Sequence, residues 1–100
     1  AALGSTVRRR KVAGIDMGKH DRLLEQILRG MSDANIGFDE LRGLLLWLGF
    51  AQRIRGSHHL FTKSGITEKI NLQRDDGKAK PYQVRQVRNV IVQYKLGGRS

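Results

Sequence analysis

A chain of 100 residues with no cysteine and a net charge of +10 has room for one modest core that no disulfide can supplement. A chain of this size buries roughly 60 to 65% of its unfolded surface, so its stability margin is small. No apolar run approaches the roughly 20 residues that span a bilayer, and the N-terminus lacks the apolar stretch of a secretory signal. Neither a disulfide scaffold nor a membrane-spanning helix is expected, and a soluble, cytoplasmic protein is. A domain this basic attracts polyanions, nucleic acid first. No membrane partner is expected, because the cations are spread over strands and loops instead of lining one face of an amphipathic helix.

The first sixteen residues, AALGSTVRRRKVAGID, are small and basic without periodicity, and they stop just before Met17. They read as a disordered arm or a vector-derived remnant, although RRRK can hold phosphate nonspecifically. The charge does not depend on them. Without Arg8, Arg9, Arg10, Lys11 and Asp16, residues 17–100 keep 15 Lys and Arg against 8 Asp and Glu, a net +7. Residues 17–100 are read as a single domain.

From Lys19 to Arg29, Leu23, Leu24, Ile27 and Leu28 form one helical stripe, with Gly30 placed to end it. SDAN at 32–35 offers turn and capping side chains, and from Phe38 the helical pattern resumes with Leu41, Leu44, Leu45 and Leu48. Leu46 and Trp47 fall outside that stripe, so this second helix is expected to pack on two sides, within its own fold or against a partner chain. From Phe50 the period changes to two: Phe50, Gln52 and Ile54 share one strand face, Ala51, Arg53 and Arg55 the other. Gly56-Ser57 leads into HHLFTK, and Ser64-Gly65 leads into TEKINLQ, where Ile70 and Leu72 alternate with Lys69, Asn71 and Gln73. After the polar RDDGKAK, Pro81 suits a first helical turn, and Val84, Val87, Ile91 and Tyr94 make the stripe of a last helix that stops before Gly97-Gly98. The expected fold is α+β, order αα-βββ-α, a three-stranded antiparallel sheet with helices on one face.

The uncovered sheet face then carries Arg53, Arg55, Lys69, Asn71 and one of the two histidines in RIRGSHHLF. Adjacent strand residues point to opposite faces, so His58 and His59 cannot both line it unless the Gly-Ser bend distorts the strand. Leu60 and Phe61, both apolar, leave the parity open. Diverging histidines, no cysteine, and His20 in a distant element make a metal site a poor reading, and no cofactor is expected. Like charge disfavours the protonated form of a histidine set among cations. A neutral imidazole in a groove that binds a phosphodiester can take a proton from a ribose 2′-hydroxyl or from water while Arg or Lys stabilises the phosphate charge. The plainer alternative is that both histidines are hydrogen-bonded sheet residues.

The run FDELRGLLLWLGFAQRIRGSHHLFTKSGITEKINLQ, continued by GKAKPYQVRQVRNVIVQYKL, resembles the HicA family of toxins from bacterial type II toxin-antitoxin systems. The sharpest element is G-S-H-H followed by an aromatic at 56–61. Shorter members begin at the helix before L-G-F, so the helix from Lys19 is an addition relative to them. The resemblance implies a small fold similar to a double-stranded RNA-binding domain, metal-independent endoribonuclease activity on messenger RNA, and neutralisation by a HicB-type antitoxin. By matching position it puts the catalytic histidine at His58, with His59 as second choice. Ser57, Lys78 and Lys80 join Arg53, Arg55 and Lys69 as the expected RNA contacts. A non-catalytic RNA-binding module on the same basic face is the alternative.

Overall fold

The computed structural model describes residues 18–96; the arm expected at residues 1–16 lies outside them. Helix α1, Lys19–Arg29, buries Leu24 and Ile27. It ends at Gly30, whose φ of +71° is left-handed, a conformation that costs a glycine little because it has no Cβ. SDAN does not cap the next helix. Asp33–Asn35 forms a 3-10 turn of its own, and helix α2, Phe38–Trp47, starts after Gly37 without a side-chain cap. The first free N–H of α2 finds a tertiary partner instead: Phe38 N donates to the Gly77 carbonyl at 3.0 Å.

Leucine spacing in α2 buries Leu41, Leu44 and Leu45 together with Phe38. Leu46 and Trp47, expected to find cover, stay 41% and 46% exposed. The partial cover comes from His20, whose ring stacks on Trp47 with centroids 5.3 Å apart.

Strands β1 (Ala51–Arg55), β2 (His58–Lys63) and β3 (Ile66–Leu72) form an antiparallel meander in that spatial order. Gly56 has φ +58° while Ser57 keeps a negative φ. That combination marks a type II′ turn, which matches the strand twist and favours glycine at its first central position. It aligns Arg55 with His58, Arg53 with Leu60 and Ala51 with Thr62. Between β2 and β3 the register runs His59 to Leu72 and Phe61 to Ile70, then shifts between Phe61 and Lys63. Helix α3, Pro81–Tyr94, begins with proline in its first turn and buries Val84, Val87, Val90 and Ile91. Gln83, also buried, uses its Oε1 to accept the Gln73 N–H at 3.3 Å.

All three helices lie on one side of the sheet, α1 against α2 and α3, and α3 against β3. Leu24, Ile27, Phe38, Leu44, Phe61, Ile70, Leu72 and Val87 meet in the resulting core. Arg88 ties the helical layer together. Its Nε donates to the Ile27 carbonyl at the end of α1 at 2.7 Å, and its Nη2 donates to Asp33 at 2.5 Å. Both side chains of that ion pair are about four-fifths removed from solvent, so screening by salt is weaker than for a surface pair. The α+β class and the order αα-βββ-α agree with the sequence pattern. No helix among the described residues is long and apolar enough to cross a membrane.

Phe61 has no exposed surface, whereas its neighbour Thr62 is exposed on the opposite face. Phe61→Ala is expected to destabilise the domain by about 3–5 kcal/mol through lost transfer energy and a residual cavity. Thr62→Ala should cost under about 1 kcal/mol. Urea denaturation of the two variants measures the contrast.

Candidate nucleic-acid interface

Phe61, Ile70 and Leu72 point into the core, and alternation along each strand then assigns every other sheet residue. His59, Gln52 and Ile54 share the helix side. His58, Arg53, Arg55, Lys69 and Asn71 share the open side, where each is exposed. The two histidines therefore diverge and cannot act on one ligand.

His58 sits opposite Arg55 across the β1–β2 ladder. Its Nδ1 lies 3.3 Å from Asn71 Oδ1 and 3.2 Å from Asn71 Nδ2, so the amide of β3 orients the imidazole plane whichever end it presents. Ala51, Gln52, Arg53, Leu60, Thr62 and Lys69 line a shallow depression further along the same strands, which neither His58 nor Asn71 lines. The open face thus carries Arg55 opposite His58, Arg53 one row further along and Lys69 near Thr62, on a floor of small and apolar side chains. Glu68, the carboxylate of β3, is turned away. It accepts from the Tyr94 hydroxyl at 2.6 Å, and that bond first, with its own backbone N–H next, holds the carboxyl below the usual Glu range.

The other expected contacts scatter. Ser57 is exposed at the tip of the β1–β2 turn, where its Oγ accepts from Gln73 Nε2 at 3.4 Å. Lys80 is half-buried at the N-cap position of α3. Lys78 lies on the helix side and reaches Asn35 Oδ1 at 3.3 Å, so it is not brought to the open face. Its loop has a structural task. Asp76 and Gly77 both have positive φ, closing a tight turn in which Asp75 and Lys78 exchange backbone bonds of 3.0 and 2.8 Å. From that turn Gly77 accepts from Phe38 N, while Ala79 N donates to Ile36 O at 2.9 Å.

His59 has a separate environment. Its Nδ1 lies 3.1 Å from Gln52 Oε1, an oxygen that also accepts from Arg42 Nη1 at 3.4 Å. An oxygen can only accept, so His59 donates through Nδ1–H and keeps a lone pair on Nε2. Its ring meets Phe38 edge-on at 4.9 Å. The Arg74 guanidinium lies 4.6 Å from the Phe38 centroid and forks onto Asp39 at 3.2 and 3.4 Å. Burial first, then Arg42 and Arg74, lower the His59 pKa from its ordinary 6.5, against a partial opposing pull from Asp39.

Compared with models of known families, with curated proteins and with solved structures, the chain matches none. Sequence reasoning passed over Asn71 as a partner of His58, and Arg42, Gln52 and Arg74 as the surroundings of His59. Period-two alternation placed Asn71 on the histidine-bearing face. Nothing in the sequence joined α2 and the loop after β3 to His59.

The folded protein favours neutral His59, so His59 contributes stability that is present above about pH 6.5 and is lost as pH falls through its lowered folded value. Thermal unfolding is expected to show a falling Tm on acidification below that point. The His59→Gln variant, which cannot titrate, should lose that component while keeping the decline set by carboxylates at lower pH.

Proposed function

We propose that this chain is a metal-independent endoribonuclease that cleaves messenger RNA, the toxin of a type II toxin-antitoxin pair neutralised by a HicB-type antitoxin, with His58 as acid–base group. The resemblance of the G-S-H-H-L-F segment to HicA toxins motivates the reading. The observation that carries it is the position of His58, exposed opposite Arg55 on the sheet face that the helices leave bare. A phosphodiester held by Arg53, Arg55 and Lys69 brings a ribose 2′-hydroxyl within reach of the imidazole. His58 accepts the 2′-proton, the 2′-oxygen bonds to phosphorus, and the 5′-oxygen leaves with a proton returned by imidazolium or by water. The cations stabilise the additional negative charge as it develops on the phosphoryl oxygens. Asn71, bonded to His58, acts as a positioning residue.

One observation favours the second reading, an RNA-binding module without cleavage. Among the described residues of the open face, His58 is the sole imidazole or carboxylic side chain, since Glu68 is bonded to Tyr94 on the helix side. Incubating the protein with a transcript in EDTA separates the two. Cleavage that persists in EDTA and falls roughly 10²- to 10⁴-fold in His58→Ala, with RNA affinity little changed, supports the nuclease. Binding without cleavage supports the module. In cells the toxin reading also expects growth arrest on production of the protein alone, relieved by the protein encoded beside it.

The phosphate contacts have their own test. Arg53→Ala, Arg55→Ala and Lys69→Ala should each weaken RNA binding similarly across sequences and reduce the log-log salt slope by about one. Unchanged slopes in all three variants would reduce the open face to a solvated surface.

A further inference from the structure

The two edges of the sheet are treated differently. On β3 the helix reaches over the edge: Gln86 Nε2 donates to the Lys69 carbonyl at 3.3 Å, and Gln83 accepts the N–H of Gln73 just beyond the strand. On β1 no described residue pairs with the outer backbone. The two-residue turn makes Arg55 and His58 a hydrogen-bonded pair, and by alternation Arg53 with Leu60 as well. The N–H and C=O of Gln52 and Ile54 consequently point outward. The strand is five residues long without proline or bulge, a ready template for another strand.

Side chains on this edge define what it would accept. Arg53 and Arg55 project on the open side, and Ile54, on the helix side, is 57% exposed because the helices stop short of it. A second copy of this chain is disfavoured. An antiparallel pairing centred on Arg53 sets that residue against itself, and one centred on Ile54 sets Arg53 against Arg55, placing like charges directly opposite. One centred on Gln52 avoids this but overlaps only Ala51–Arg53 of the two strands.

We propose that the outer edge of β1 is a docking site for an extended segment of a partner protein in which acidic and apolar residues alternate, added as a fourth strand. Acidic side chains of such a strand meet Arg53 and Arg55, its apolar side chains cover Ile54, and its backbone pairs with Gln52 and Ile54. The inference does not rest on the RNA reading, because ribonucleic acid offers no ladder of amides to this edge.

Amide NMR spectra of the isotope-labelled protein test it, titrated with a synthetic peptide alternating Glu and Val and with its Lys and Val counterpart. The Glu peptide is expected to shift the Gln52 and Ile54 amides, slow their hydrogen exchange, and bind about tenfold more tightly than the Lys peptide, as two cross-strand charge pairs change sign. Ile54→Pro removes one outward N–H and should weaken binding, whereas Ile54→Thr keeps that N–H and should retain most of it. The double variant Arg53→Glu, Arg55→Glu should reverse the peptide preference, which keeps the test decisive if the proline variant does not fold. Absence of shifts, shifts confined to amides away from β1, equal binding of both peptides, or a charge-reversed variant with unchanged preference would overturn the proposal.

Discussion

Burial of Phe61 under the helices is the constraint on which the rest of the site depends. A three-stranded sheet covered on one side has one dry face and one wet face, and a side chain of this size with no exposed surface commits its strand to one parity. Once Phe61 points inward, His59 does too, and His58 must point out. The two-residue turn at Gly56-Ser57 then transmits the choice to β1, so Arg53 and Arg55 join His58 on the wet face. A slip of one residue would exchange the histidines and bury both arginines, an outcome opposed by the desolvation cost of unpaired charge.

The helical layer is held to that sheet by polar ties as well as by apolar packing. Arg88 joins the end of α1 to the 3-10 turn, and the Asp75–Lys78 turn supplies the carbonyl that receives the first N–H of α2. The second contact satisfies an N–H that the local sequence leaves without a cap, and the first adds a tertiary donor to the capped end of α1. They also bring Arg42 of α2 and Arg74 of the loop to the same histidine, from two directions.

Neighbouring histidines thus have unlike surroundings. His59 is half-buried, bonded to Gln52 and held toward its neutral form by burial and two arginines, which suits a role in joining α2 to the sheet. His58 is exposed among cations and oriented by Asn71, which suits contact with a phosphodiester. The lowered His59 pKa belongs to the helix–sheet junction, where an ion network perturbs titration as readily as an active site does.

Local pattern alone determined helices α1–α3, strands β1–β3 and the turns between the strands, but not the 3-10 turn at Asp33–Asn35. Leucine spacing in α1 and α2, period-two alternation from Phe50, Gly30 and Pro81 at helix ends, and Gly56-Ser57 between strands are short-range signals, and each reflects a backbone or burial preference that acts within a few residues. The same alternation grouped Arg53, Arg55, Lys69 and Asn71 on one face. Tertiary structure decided what those rules leave degenerate. Leu60 and Phe61 are both apolar, so only the helices, by covering one of them, could settle which histidine faces outward. Leu46 and Trp47 remained half-exposed because α1 and the sheet already occupy the other sides of α2. Lys78 left the basic face because its turn is needed at the start of α2, and the ring of Arg42, Gln52 and Arg74 around His59 joins residues far apart in the chain. Such contacts are set by how the layers pack, and no local period encodes them.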